Sequence, residues 1–325
     1  MKKIITILTC LCLILTLGAC STSREEEVVT VEKTVKSVEE MKIVAPSGAP
    51  SVAFYNFSDS ASFETNGTPS NIVAMMSATE GPDVVVIDTV SGVNAINNGA
   101  PYLLAATITF GNFYIAATGN DEDGVMSADD NIILFGQNQT PDLVWHYIYG
   151  SEFDEAVSFV AAAGDAAAVL QTGNDAQGNP ADYVFLAEPA LFASLNKNEK
   201  ASIYANVQEL YTAKSGTGMI QASVFVKNDL SDESVNDFLA VLEKDINAAL
   251  EDPTAVKAGF DKISEDESKA KFGVMAAPVV AVLKQNNRLG LGFKKAYDIK
   301  EDIDTFLNVM SKDSTSEEIY FKYKT

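Results

Sequence analysis

Side chains that carry out chemistry are scarce in this chain of 325 residues: one histidine, His146, two arginines, Arg24 and Arg288, and three cysteines, Cys10, Cys12 and Cys20. A lone histidine with no second histidine or cysteine beside it offers neither metal-ligand spacing nor an imidazole-based acid–base pair. Two arginines against 45 acidic residues, and a formal net charge of −22, exclude a basic face for nucleic acid. The same charge is repelled by anionic lipid head groups, so membrane contact has to come from something other than a basic patch. No cofactor and no metal are expected, and the composition argues against an enzyme.

The cysteines are informative by position. Lys2 and Lys3 precede an apolar run over residues 4–17 that is interrupted only by threonine, the layout of a secretory signal peptide. The run falls short of the about 20 apolar residues that a bilayer-spanning helix needs, and residues 21–27 after it are polar and acidic. It ends in Leu17-Gly18-Ala19-Cys20, a small-residue cleavage site closed by the cysteine to which bacteria attach lipid. Residues 1–19 therefore read as a lipoprotein signal peptide, Cys20 as the lipidation site, and residues 20–40 as a polar tether unable to pack a core alone. Cleavage removes Cys10, Cys12, Lys2 and Lys3, which leaves no disulfide and two further units of negative charge. An acylated Cys20 has no thiolate, so thiol catalysis is excluded as well. The expected location is the extracytoplasmic face of a cell membrane, with the chain held there by lipid.

From Met41 onward, short apolar runs that end in Gly, Ser, Pro or Asp alternate with helix-like segments, the pattern of an α/β fold. Residues 42–45 read as a strand, residues 51–57 as the start of a helix, and residues 83–88 as a strand buried on both faces. Residues 102–118 are β-prone and broken at Gly111-Asn112, taken as a crossover between domains. Strands follow at residues 132–135, 156–160 and 183–187, with a helix opened by Thr140 as N-cap and Pro141 as first residue. A β-prone run at residues 219–226 returns the chain to the first domain. Ser231 caps a helix with Val235, Phe238, Leu239, Leu242 and Ile246 on one face, and Ile303, Phe306, Leu307 and Met310 repeat that spacing.

The order of these units resembles the substrate-binding lipoproteins of ABC importers, in the branch that serves nitrate, taurine, alkanesulfonates and thiamine pyrimidines. The residues that carry the likeness are 83–91, 136–141, 183–191 with Glu188-Pro189, and 286–293. The resemblance implies a two-lobed type II periplasmic-binding-protein fold with hinge strands and a ligand cleft between lobes. Lobe I would comprise residues 41–115 and 224–325, and lobe II residues 116–223. It further implies a monomer with two partners, a small-molecule ligand and an ABC permease. Two alternatives accompany it: a thiamine-pyrimidine-synthase-like enzyme, which the lone histidine and missing thiol disfavour, and a surface or sensor lipoprotein on the same fold.

Ligands of open α/β sheets sit beyond the carboxyl ends of strands, beside helix starts. Three such places stand out: Ser47-Gly48-Ala49, Thr89-Val90-Ser91, which caps a short helix, and Asn138-Gln139-Thr140, with Gln137 next to the last and Thr109 and Asn112 beside the crossover. Their amide and hydroxyl donors suit a small anion. Glu188, fixed by Pro189, and Asp88 point the other way, toward an amino-bearing ligand. Tyr55 is a candidate aromatic wall, and Phe54, Phe113, Tyr114 and Trp145 are further ones. Arg288 is expected to make a structural contact with one of the abundant acids.

Overall fold

The computed structural model describes residues 33–310 and 315–323; the expected signal peptide, Cys20 and residues 21–32 of the tether lie outside the described residues. Eleven strands among the described residues form two sheets. The first contains β1 (Ile43–Pro46), β2 (Phe63–Asn66), β3 (Val84–Asp88) and β4 (Tyr102–Thr109). The second contains β5 (Phe113–Ala117), β6 (Ile132–Phe135), β7 (Val157–Val160), β8 (Tyr183–Ala187) and β9 (Ser202–Asn206). The chain then returns to the first sheet with β10 (Ala222–Lys227) and β11 (Leu291–Lys295), giving the orders β11-β4-β10-β3-β1-β2 and β7-β6-β8-β5-β9.

The unbroken Val84-Val85-Val86-Ile87 run sits near the centre of its sheet and is buried throughout, because helices cover both faces there. In each lobe the βα units supply parallel strands, β1 beside β2 and β3, β6 beside β7 and β8. The strands next to a crossover, β10 and β5, lie antiparallel to that parallel set. The helix Asp232–Glu251 starts as its sequence predicts, with Ser231 Oγ accepting the Ser234 amide at 3.1 Å, and its five apolar positions are buried. The helix Lys300–Met310 likewise buries Ile303, Phe306, Leu307 and Met310.

Several boundaries differ from the sequence reading. The chain leaves the first sheet after Thr109 and returns at Ala222, so residues 113–115 belong to lobe II and residues 222–223 to lobe I. Gly111 at φ +104° makes the break, earlier than the apolar run itself ends. Residues 33–40 are not a free tether. Thr34 donates to Asp229 O at 2.7 Å and accepts from the Ser231 amide at 2.8 Å, and Lys36 Nζ reaches both oxygens of the buried Asp83 at 2.7 and 2.8 Å. The segment is drawn in because a buried carboxylate demands a cation, and Lys36 is the one that reaches Asp83. The helix expected over residues 51–57 is split into Ala49–Val52 and the 3-10 turn Tyr55–Phe57.

The crossover β4–β5 is braced by the loop ahead of β11. Phe110 donates its amide to Gly290 O at 2.8 Å, and Gly290 lies at φ +64° with room for no side chain: a Cβ there would stand 2.1 Å from Gly111 O. Gly290→Ala combines left-handed strain with a backbone clash, and is expected to cost roughly 2–4 kcal/mol of stability in urea unfolding; an unchanged midpoint would show that the hinge is not tightly packed.

Candidate functional site

A cavity of about 390 Å³ opens between the two sheets, beyond the carboxyl ends of β1, β3, β6 and β8. Lobe I contributes Pro46, Ser47, Gly48 and Asp88, and lobe II contributes Phe113, Phe135, Thr140 and Glu188. Its lining is mainly Pro, Ala and Phe, and the charged side chains in it, among the described residues, are the two acids Asp88 and Glu188. Two contacts join the lobes across it. Thr140 Oγ1 donates to Asp88 Oδ1 at 3.2 Å, and Arg288, in the loop before β11, donates from Nη2 to Glu188 Oε1 at the end of β8.

No protein-family model matches the sequence, and no curated protein matches it. Solved structures do. An ABC transporter protein from Parabacteroides distasonis is similar over 87% of this chain and 99% of its own, at TM-score 0.71 and 16% identity. The alkanesulfonate-binding protein SsuA from Xanthomonas axonopodis pv. citri, bound to MOPS, covers 86% of this chain and 97% of its own, at TM-score 0.57 and 10% identity. A Candida albicans protein described as having the generic periplasmic binding protein structural fold covers 86% of this chain and 92% of its own, at TM-score 0.52 and 10% identity. The chain has the periplasmic-binding-protein fold.

Within this fold the sequence-derived candidates separate into two groups. Ser47, Gly48, Ala49, Asp88, Asn112, Gln139, Thr140 and Glu188 line the cavity. The others do not. Tyr55 is 3% exposed in the core of lobe I, where its hydroxyl donates to Asp245 O at 3.3 Å. Thr89 is buried behind the cleft, with its amide on Gln221 O at 3.0 Å and its hydroxyl 2.8 Å from Ser223 Oγ. Thr109 is buried as well, its carbonyl accepting the Gln221 amide at 3.0 Å. Gln137 and Asn138 are exposed in the turn after β6, where the Asn138 amide is taken by Asp142 Oδ2 at 2.7 Å. Trp145 is fully buried against Tyr149, Phe153 and Phe185. Among the lining residues that were not anticipated are Phe135, Phe272 and Gln221.

Two helix starts are shifted by one residue. Asp88, not Thr89, caps Thr89–Asn97, accepting the Ser91 amide on Oδ1 at 2.9 Å. Gln139 stands at the N-cap of Thr140–Tyr149, which places Thr140 inside the first turn and frees its hydroxyl to cross to Asp88.

Some of the donors expected to bind an anion are already in use. Around the cavity a protein carboxylate takes one amide at, or just before, each of four helix starts: Asp88 the Ser91 amide, Asp142 that of Asn138 in the turn ahead of its helix, Asp165 that of the N-cap residue Ala162, and Glu188 that of Phe192, at 2.7 to 3.1 Å. The favourable end of each helix dipole is thus answered from within the chain. Glu188 has no exposed side-chain surface; Arg288 holds one of its oxygens and the Phe192 amide the other, at 2.9 Å. Burial pushes its carboxyl up, against the pull of Arg288. Arg288 also lies 5.1 Å above the Tyr114 ring and donates to Gln285 Oε1 at 2.6 Å. Burial pushes the Asp88 carboxyl up too, and its two hydrogen bonds come from neutral donors, both to Oδ1.

These electrostatics set two expectations. Arg288→Met leaves Glu188 buried without its cation and costs about 3–5 kcal/mol in urea unfolding, of which the double variant with Glu188→Gln recovers a substantial part; equal stability of wild type and single variant would count against a buried pair. Asp88 is raised above its ordinary 3.8, so the stability it contributes is full below that pH and is lost as pH rises through its folded value. Asp88→Asn is therefore expected to gain on wild type as pH rises from 3.8 through the folded value and to keep that gain above it, read as the difference between their urea midpoints; a difference constant across that range would contradict the burial argument.

Proposed function

We propose that this chain is an extracytoplasmic solute-binding protein that captures a small molecule between its lobes and delivers it to an ABC importer, acting as a monomer. The observation that carries this reading is the cavity itself: it is walled by both lobes, and Asp88–Thr140 and Glu188–Arg288 tie the lobes together across it. A ligand that touches both walls favours the closed arrangement over an open one, and an importer can distinguish the two. Similar structures named as an ABC transporter and as an alkanesulfonate-binding protein support the reading, as does the scarcity of catalytic side chains.

The lipid anchor at Cys20 belongs to the same reading and rests on the Leu17-Gly18-Ala19-Cys20 site. No helix among the described residues is long and apolar enough to cross a membrane. Within that reading, the anchor serves to keep the binder close to its permease.

The purified protein is expected to show ligand-dependent thermal shifts with members of a broad metabolite panel, and native mass spectrometry is expected to find one solute per chain. Silence across the whole panel in both measurements would sink the proposal. Cys20→Ala is expected to move the protein from the membrane fraction to the soluble extracytoplasmic fraction while leaving solute affinity unchanged.

A further inference from the structure

The two acids of the cavity look alike in sequence, yet they are used differently. Glu188 is spent on the protein: one oxygen meets Arg288, the other the Phe192 amide. Asp88 keeps its hydrogen bonds on Oδ1, from the Ser91 amide and the Thr140 hydroxyl, and neither donor carries charge. Among the described residues no lysine or arginine lines the cavity, so the charge of Asp88 is not balanced there.

Gln221 lies beside it. β3 and β10 pair with Asp88 opposite Ala222, and the Thr89 amide donates to Gln221 O at 3.0 Å, so Asp88 and Gln221 end neighbouring strands on the cavity side. The orientation of the Gln221 amide is fixed by its neighbours. Asn112 donates through Nδ2 to Glu188 O at 2.9 Å, which leaves Asn112 Oδ1 as an acceptor for Gln221 Nε2 at 2.8 Å. Gln221 Oε1 is therefore the free end, and it is buried without a donor among the described residues. A buried acceptor of this kind is costly unless something donates to it.

Resting on the solute-binding reading above, we propose that the cavity takes a compact organic cation, an ammonium or protonated amine on a flat or aliphatic body, with Asp88 Oδ2 and Gln221 Oε1 as its acceptors. Phe113 and Phe135, edge to face with centroids 6.3 Å apart, wall the apolar part, and a ring face near a cation adds to its attraction. A small anion is disfavoured twice over. Carboxylates already occupy one amide at or just before each of four helix starts around the cavity, and Asp88 would repel it.

Three probes of matched size test the class by titration calorimetry on the mature protein: benzylammonium, benzyl alcohol and benzenesulfonate. Benzylammonium is expected to bind on the order of tenfold or more tighter than benzyl alcohol, with benzenesulfonate weakest. Asp88→Asn is expected to erase the preference for the ammonium over the alcohol. Asparagine caps a helix as well as aspartate, so the variant is expected to fold, and its far-ultraviolet circular dichroism checks this. The ranking of the three probes on wild type reads the class without any variant. A preference for benzenesulfonate, or an ammonium preference that survives Asp88→Asn, overturns the inference and leaves solute binding standing. Should none of the three bind, the charge of the metabolites that shift the wild-type protein decides: cations support the inference, and anions or neutral molecules overturn it. A wholly silent panel overturns the solute-binding reading and the inference with it.

Discussion

A carboxylate seated on the first amides of a helix is the interaction on which this cleft depends. It occurs at Asp88, Asp142, Asp165 and Glu188, each at a helix start that faces or flanks the cavity. A helix start attracts negative charge because its amides lack partners and its dipole points that way. In a fold of this kind the same donors are available to bind an anion. Here the chain fills some of them itself, around a largely apolar pocket whose charged lining residues, among those described, are Asp88 and Glu188. The strongly acidic composition is thereby put to structural use, since each of the four acids satisfies an amide at or just before a helix start.

Arg288 matters out of proportion because cations are few. It neutralises Glu188, stacks on Tyr114 and ties the loop before β11 to the end of β8. That loop also carries Gly290, whose carbonyl accepts from Phe110 at the crossover and whose missing side chain lets it press against Gly111. One loop of lobe I therefore bears on both the hinge and the far wall of the cleft. Asp88–Thr140 is the lighter link, a single hydrogen bond at 3.2 Å between a half-buried carboxylate and a hydroxyl. Asp88 is an expensive residue to keep half-buried without a cation, and stability given up at a binding site is a common cost of function.

The interior was legible in the sequence, and three of the four edge strands were not. Strands β1, β3, β4, β5, β6, β7, β8 and β10 announce themselves by apolar runs, most of them central strands covered on both faces. β2, β9 and β11, which escaped the sequence reading, are all edge strands: Phe63-Glu64-Thr65-Asn66, Ser202-Ile203-Tyr204-Ala205-Asn206 and Leu291-Gly292-Phe293-Lys294-Lys295. An edge strand meets solvent along one side and often on one face, so its composition is that of a loop. The tether was misjudged for a related reason. Val35 and Lys36 look like linker residues, and only the position of Asp83 in space makes Lys36 a partner.

Sequence alone determined the α/β alternation, the crossover near Gly111, the helix faces at Asp232–Glu251 and Lys300–Met310, and the concentration of candidate residues at strand ends. These are local properties, written in the period of apolar residues and in the chemistry of turns and caps. Which of two similar acids is paired with a cation was decided by tertiary structure. Glu188 is paired because Arg288, 100 positions away along the chain, folds onto it, whereas Asp88 accepts from the Thr140 hydroxyl across the cleft and the Ser91 amide of its own helix, neither of them charged. Charge pairing depends on distance in space and on burial, and neither can be read from order along the chain.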